Sequence, residues 1–337
     1  TNGPYDNADL ISRSLASISK NGLVKRLESS FHAFKASLKK FRDANQYMIN
    51  MFENDKVFIA PDLDINHLYD LGMSDDEIEE KLFQKSEDNP KNQVFQAVDF
   101  EPQFLNMLKK DQKTLSKMCE DWKNVTDEDD SKFDTFQDLL NHELFKKSRN
   151  PGQKLVVFSE SLVTVNYLKE RIKRDDVLVI SAENRNRKFK IIRENFDANC
   201  PVKKNDYNIL ITTDVLAEGV NLHRSNIVVN YDTPWNSTKL MQRIGRVNRI
   251  GSTSKSIYNY VFYPSRQGNN QINLKGIVLS KIQTFHTTFG EDNRIYSKEE
   301  IIDRNLDKLF DEGIKPDEED KNLEIPFYEE LRELFTT

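Results

Sequence analysis

Short apolar runs alternate with amphipathic segments between residues 154 and 262. Continuous apolar runs bounded by turn residues are typical of strands buried on both faces. The predicted strands are Lys154–Ser159, Val177–Ile180, Asn208–Thr212, Asn226–Tyr231 and Ser256–Phe262, and the predicted helices between them are Leu162–Ile172, Arg187–Phe196 and Ser237–Asn248. This alternation predicts an α/β fold with a parallel sheet that carries helices on both faces.

The flanking regions have a helical pattern instead. Upstream, apolar residues recur at three- and four-residue steps, at Leu23, Leu27, Phe31, Phe34 and Leu38, and Ser74 with Glu77 has the form of a capping box. Downstream, Ile277–Phe289 and Ile301–Phe310 are predicted helices. With the turn at Asn150–Gly152 as a boundary, we predict an N-terminal helical region (1–150), an α/β domain (151–265) and a C-terminal helical tail (266–337).

Composition excludes several classes of protein. The chain has 337 residues, of which 37% are hydrophobic and 31% charged, and no apolar run approaches the roughly 18 residues that span a bilayer, so we expect no membrane association. Cys119 and Cys200 are too few for a disulfide framework and are not spaced as metal ligands, which favours a reducing, cytoplasmic compartment. The first residues lack an initiator methionine and the features of a signal peptide, so we expect a piece of a longer protein.

Charge is distributed unevenly along the chain. The net charge is −7 for residues 1–150, +7 for residues 151–265 and −6 for residues 266–337. A basic middle between acidic ends is expected when one segment meets phosphates. A solvated surface with unevenly spread charge explains the same numbers equally well.

The loop after the strand Asn208–Thr212 is the first candidate for chemistry, because ligands of parallel α/β sheets bind beyond the carboxyl ends of the strands. Gly219 permits close approach of the backbone, while Thr213, Asp214 and Asn221 offer short polar groups to phosphate or ribose. An ordinary capped turn would show the same residues.

The second candidate is Gln242–Gly251, in which Arg243, Arg246 and Arg249 recur at three-residue steps on a predicted helix. At that spacing we expect the three arginines to share one face. The residues expected to point the other way, into the core, are Leu240, Ile244 and Val247. Phosphoryl transfer needs positive charge at the γ-phosphate, and arginine supplies it with planar, permanently charged donors. A basic solvated helix face is the alternative.

Together, these two loops resemble motifs V and VI of superfamily 2 helicases. Tyr231–Asn236 and Arg249–Gly251 narrow the resemblance to the SWI/SNF-type branch, including bacterial helicase-like translocases. The resemblance covers Lys154 to about Tyr263, with Lys154–Ser159 similar to motif IV, and a thinner likeness continues through Lys281–Asp292. It implies a RecA-like lobe, the second of two that hydrolyse ATP in the cleft between them and step along nucleic acid.

The resemblance also implies roles for single residues. Arg246 and Arg249 correspond to the catalytic arginine fingers. Positions expected at the nucleotide are Gln242 beside the γ-phosphate, Arg243 touching phosphate or bracing the loop, and Gly219 and Asn221. Positions expected at the nucleic acid are Ser159, Thr213 and Trp235, although a large aromatic residue after a strand can equally be a packing residue.

Two departures from the family pattern matter. Ser181-Ala182-Glu183 stands where relatives usually have a glycine after the second strand. None of the eleven glycines precedes a lysine, so the phosphate-binding GxxxxGK[ST] loop is absent, and no acidic magnesium-binding tetrad follows a strand. The phosphate-binding loop and the magnesium-binding tetrad both belong to the first motor lobe.

We therefore expect ATP as cofactor, with Mg²⁺ held by a first RecA-like lobe of the same parent chain, and no metal site in this one. The expected partner is nucleic acid, in the form of duplex DNA, and the chain alone is expected to be inactive. The competing hypothesis is a non-catalytic RecA-like scaffold that binds a protein partner through its acidic helical ends. Loss of the arginines in Gln242–Gly251 would favour the scaffold, and they are present.

Overall fold

The computed structural model describes residues 21–59, 64, 93–216, 219–234, 237–266 and 268–269. The first part contains helix α1 (21–29), α2 (Phe31–Glu53), strand β1 (Val57–Ile59), β2 (Gln93–Phe95), α3 (Phe104–Asp121) and α4 (Ser131–His142). The second part contains β3 (Leu155–Phe158), α5 (Leu162–Ile172), β4 (Val177–Ile180), α6 (Arg185–Phe196), β5 (Ile209–Thr212), β6 (Ile227–Asn230), α7 (Ser237–Val247) and β7 (Tyr258–Val261). Short 3₁₀ turns lie at Ala97–Asp99, Asp127–Asp129 and Asp214–Leu216.

In the described residues, the main sheet has five strands in the order β4-β5-β3-β6-β7, and every pair is parallel. Leu155 of β3 lies opposite Ile209 of β5 and Ile227 of β6. The predicted parallel α/β sheet is confirmed, and the fold is that of a RecA-like lobe. Because β3 is central, the loops after β5, β3 and β6 lie side by side at one edge.

Alternate residues of each strand enter two separate cores. Leu155 and Val157 pack in one with α4 and α5, whereas Val156 and Phe158 pack in the other with α6 and α7. All four side chains are completely buried. Burial on both faces is why the strands appear in the sequence as unbroken apolar runs, and the predicted helices on both faces are confirmed.

Helix α4 belongs to this lobe although it precedes residue 151. Phe133, Phe136 and Leu140 are buried in the same core as the sheet residues. Phe136 contacts Tyr231 edge to face, with ring centroids 5.4 Å apart, a geometry that favours aromatic pairs. The core of the lobe therefore extends upstream to Phe133.

The N-terminal region is helical but differs from the sequence prediction in two ways. The helical pattern from Leu23 to Leu38 is divided at Ser30, where the backbone is extended and the Ser30 hydroxyl caps α2 by accepting from the Ala33 amide at 3.1 Å. Such capping begins a new helix. The region also contains strands, because β1 pairs antiparallel with β2.

Some predictions lie outside the described residues. These are the capping box at Ser74 and Glu77, the downstream helices Ile277–Phe289 and Ile301–Phe310, and Trp235. Among the described helices, none has the length and apolar character needed to cross a membrane.

Candidate functional site

The carboxyl ends of β3, β5 and β6 meet at one edge of the sheet, and each is followed by a polar residue. Ser159 follows β3, Thr213 follows β5, and Asp232 lies two residues beyond β6. The Ser159 amide donates to the Thr212 carbonyl at 3.0 Å. This edge is therefore built from three loops held in register by the sheet itself, as is usual for ligand sites of α/β folds.

Arg243 lies under this edge, completely buried in α7. Its Nε donates to Asp214 Oδ1 at 2.7 Å, and its Nη1 donates to Asn230 Oδ1 at 3.0 Å and to the Asp232 carbonyl at 3.2 Å. Nη2 has no hydrogen-bond partner within the described residues. The covered guanidinium thus connects the loop after β5 to the end of β6.

The prediction that the three arginines share an exposed face is wrong. Arg243 instead shares the buried face of α7 with Leu240 and Val247, all 0% exposed. Arg246 is half-buried and Arg249 is exposed. Helix α7 also ends at Val247, so Arg249 lies beyond the helix. Of the three arginines at this spacing, Arg243 is therefore internal, and Arg246 and Arg249 are the outer ones.

The Arg243 partner Asp214 also accepts from Lys239 Nζ at 3.1 Å. Burial alone would raise the pKa of Asp214, but Arg243 and Lys239 outweigh it and lower that pKa. Asp214 was a candidate for phosphate or ribose on sequence grounds. Its carboxylate is instead used to tie the loop after β5 to α7.

The outer arginines, Arg246 and Arg249, join the loop after β5 to the end of α7. The Leu222 amide donates to the Arg246 carbonyl at 2.9 Å, and Arg249 Nη1 donates to Asn221 Oδ1. The structure thus brings together Asn221, Arg246 and Arg249, which the sequence singled out from separate stretches. Gln242 lies half-buried on α7 next to Arg243.

Gly219 occupies the loop after β5 with a φ of +80°, a conformation that favours glycine. A Cβ added there would lie 2.5 Å from Nη2 of Arg185, the first residue of α6. Close approach of an arginine to the loop therefore adds a second reason for glycine. Sequence reasoning missed Arg185, since it lies two residues before the predicted start of α6 at Arg187 and its contact with Gly219 is long-range.

The residues expected to contact nucleic acid differ in how exposed they are. Thr213 is half-buried. Ser159 is completely buried, and its Oγ donates to Asp232 Oδ2 at 2.5 Å. In this conformation Ser159 is covered, contrary to the expectation that it approaches a nucleic-acid backbone, because the aspartate after β6 takes its hydroxyl.

Asp232 is the centre of a buried polar cluster that sequence reasoning also missed. Besides Ser159, its carboxylate accepts from Ser29 Oγ at 2.9 Å, the Glu160 amide at 3.0 Å and Lys132 Nζ at 3.1 Å. Burial would raise the pKa of Asp232, but Lys132 and the two hydroxyls overcome that effect and lower it. The carboxylate is thus kept ionised by partners from three distant parts of the sequence.

His223 lies just beyond Asn221 and is completely buried. Its Nδ1 is 3.7 Å from Asp197 Oδ1, and neither ring nitrogen has a hydrogen-bond partner within the described residues. Burial lowers the pKa of His223, and the nearby Asp197 opposes this only in part. The imidazole is therefore held neutral between α6 and the loop after β5.

The donors at this edge suit a polyanionic ligand. Arg246, Arg249 and Gln242 carry N–H donors, and guanidinium groups match the oxygen geometry of phosphates. In the part of the chain that the structure describes, no three His, Cys, Asp or Glu side chains come together to hold a metal.

Residues 131–251, which are 121 of the 337 residues, match the family of the helicase conserved C-terminal domain. The match begins at the first residue of α4 and ends at Gly251, so it includes both loops of the site. Over these residues the chain is therefore similar to a helicase C-terminal domain, in agreement with the resemblance of its two loops.

The chain is also similar to curated proteins. It is 28% identical over 174 residues to eukaryotic initiation factor 4A of Zea mays, covering 49% of this chain and 38% of that protein. It is 36% identical over 93 residues to the uncharacterized ATP-dependent helicase YqhH of Bacillus subtilis, covering 28% of this chain and 16% of that protein. The chain thus spans less than half the length of these relatives.

Solved structures similar to this chain include the C-terminal part of the Fun30 ATPase domain, with a TM-score of 0.33 and 16% identity over 53% of this chain and 67% of that one. S. cerevisiae Dbp5 bound to RNA and ADP BeF3 has a TM-score of 0.33 and 22% identity over 44% of this chain and 36% of that one.

Proposed function

We propose that this chain supplies the second motor lobe of an ATP-dependent helicase or translocase of the SWI/SNF-type branch of superfamily 2. The observation that carries the proposal is the joining of the loop after β5 to the end of α7. Asn221 holds Arg249, and the Arg246 carbonyl holds Leu222. Two outer arginines are thereby fixed to the loop that would face a nucleotide.

In this role Arg246 and Arg249 are the arginine fingers. Their permanent charge would stabilise the negative charge that develops on a transferred phosphoryl group. Asn221 orients Arg249 through its side-chain oxygen, and Gln242 reaches the γ-phosphate. Gly219 lets the backbone come close to the nucleotide. ATP supplies the reacting phosphoryl group, while the residues of this chain bind and orient it.

A first RecA-like lobe of the same parent chain completes the site. It would supply the phosphate-binding loop and the Mg²⁺ ligands, since this chain carries no GxxxxGK[ST] sequence. The arginines then act across the cleft between the lobes, and hydrolysis is coupled to its closure and opening. The two cysteines, both free, fit a reducing, cytoplasmic compartment.

Duplex DNA is the proposed nucleic-acid partner, as the resemblance to the SWI/SNF-type branch implies. The net charge of +7 over residues 151–265 supports contact with phosphates, and such binding is salt-dependent and largely blind to sequence. Thr213 and Trp235 would contact the nucleic acid. Ser159 would join them only by exchanging its hydrogen bond to Asp232.

The test is ATP hydrolysis by the parent protein, with its upstream lobe, carrying Arg246→Ala. We expect kcat to fall by about a thousandfold, the scale of an arginine finger, with an unchanged melting temperature. Arg149→Ala is the matched control, because Arg149 is an exposed arginine paired with Glu143 at the opposite end of the sheet. Wild-type turnover in Arg246→Ala would refute the assignment.

The isolated chain provides a second arm of the same experiment. Without a phosphate-binding loop it should show no ATP hydrolysis with or without duplex DNA. DNA-stimulated turnover by the purified chain would contradict the proposed division of the motor into two lobes.

A further inference from the structure

A continuous series of polar contacts runs from helix α1 to the loop after β5. Ser29 of α1 donates to the Asp232 carboxylate, the Asp232 carbonyl accepts from Arg243, and Arg243 donates to Asp214. We propose that Asp232 is a positioning residue through which the docking of α1 sets the geometry of the loop after β5. The importance of that loop for ATP hydrolysis rests on the proposed function, whereas the contacts themselves are independent of it.

The carboxylate of Asp232 faces α1 and its supports. Lys132 Nζ donates to Asp232 and also to the carbonyls of Glu28 at 2.6 Å and Ser29 at 3.2 Å. The ammonium group therefore joins the end of α1 to the aspartate. Because an ionised carboxylate in a buried position needs its full set of donors, moving α1 away would leave Asp232 short of partners.

Polar contacts of Ser29 join α1 to the lobe. Ser29 is the only buried residue in the range 21–29, and its hydroxyl also lies 2.7 Å from that of Thr164 in α5. A cavity of about 150 Å³ remains beside it, lined by Lys25, Ser29, Lys132, Ser161 and Asp232 among others. Directional hydrogen bonds at Ser29 thus help to fix the position of α1 on the lobe.

The backbone of Asp232 faces the other way. Its carbonyl accepts from Arg243 Nη1, and the same nitrogen donates to Asn230 at the end of β6. Arg243 is completely buried and binds Asp214 at 2.7 Å. If Asp232 shifts because its carboxylate loses partners, its backbone carbonyl shifts as well. Arg243, which donates to that carbonyl, would then move, and so would Asp214, which Arg243 holds.

Hydrogen–deuterium exchange of this chain tests the proposal without nucleotide or the first lobe. In Ser29→Ala, we expect amides 213–216 to exchange about fivefold faster, because one net hydrogen bond contributes about 1 kcal/mol to the local opening equilibrium. Lys25→Ala is the matched control: Lys25 lies on the same helix and pairs with Glu160 at 3.4 Å. Loss of this ion pair leaves the Ser29 hydroxyl in place, so exchange at 213–216 should stay unchanged.

Ser29→Thr should restore the wild-type exchange rate, because it keeps the hydroxyl and the adjacent cavity has room for a methyl group. The proposal is overturned if Ser29→Ala changes exchange only around residues 21–34 and 159–168, or if Lys25→Ala has the same effect at 213–216. Failure of ATP hydrolysis in the parent protein would instead count against the proposed function and leave this exchange result standing.

Discussion

Arg243→Met gives the most direct test of how this site is built. The change removes a buried guanidinium but keeps an unbranched side chain that can pack under Phe158, whose ring centre is 5.2 Å from the guanidinium carbon. It abolishes the bond to Asp214 at 2.7 Å and the bonds to Asn230 and the Asp232 carbonyl.

The size of the effect follows from these contacts. A hydrogen bond to a charged group contributes about 1.5–3 kcal/mol and a neutral one about 1 kcal/mol, and removal of one partner from a buried ion pair costs about 3–5 kcal/mol. Asp214 keeps Lys239 at 3.1 Å, and its side chain is 22% exposed, so its charge is not stranded. We therefore expect a loss of about 3 kcal/mol in the free energy of unfolding, or roughly 10 °C in melting temperature for a domain of this size.

Thermal and urea unfolding of the chain, followed by circular dichroism, measure this loss. Arg246→Met is the control, because Arg246 is half-buried on the same helix and its loss should cost under about 1 kcal/mol. The double variant Arg243→Met/Asp214→Asn should lose less than the sum of the single changes, since it also removes the carboxylate that lost its main partner. Equal losses for Arg243→Met and Arg246→Met would refute the bracing role.

Two further predictions concern the loop after β5. Gly219→Ala should lower the melting temperature by several degrees, because its φ of +80° strains any other residue and the added Cβ meets Arg185. Gly245→Ala, with open space around its helical backbone, should raise the melting temperature slightly, and a loss in both variants would contradict the argument. Burial lowers the pKa of His223 in the folded chain, so the stability that it contributes above about pH 6.5 should be lost as the pH falls further. His223→Leu should therefore show a flatter fall in melting temperature between pH 7 and pH 5 than the wild type, and parallel curves would show that His223 does not cause it.

The sheet could be predicted from sequence because its cause is local. Burial on both faces requires unbroken apolar runs, and β4 and α5 have the bounds that the pattern predicts, Val177–Ile180 and Leu162–Ile172. The short strands β1 and β2 escaped prediction, because their pairing joins residues as far apart as Val57 and Phe95. No local pattern marks such three-residue strands.

The structure brings together Asn221, Arg246 and Arg249 from separate stretches of the sequence, but the arrangement of the arginines could not be predicted from the sequence. Periodicity places Arg243 on a stripe, but it cannot decide whether that stripe faces solvent or the core. That choice depends on Asp214 and Asn230, which precede Arg243 by 29 and 13 residues. The cluster around Asp232 has the same origin, since Ser29 is 203 residues away. A buried charge is stable only where partners converge, and convergence is a property of the fold.

If the proposed function is correct, the three arginines of α7 and its end have two different roles, one in stability and one in chemistry. A guanidinium held by three bonds in the interior cannot also follow a nucleotide through a catalytic cycle, whereas Arg249 has one bond to Asn221 and an exposed side chain. Arg243 fixes the loop after β5 against α7. Arg246 and Arg249 would then act from a rigid backbone. Loss of any one should impair an ATP-driven motor, but only loss of Arg243 should also destabilise the fold, and that difference separates the two roles by experiment.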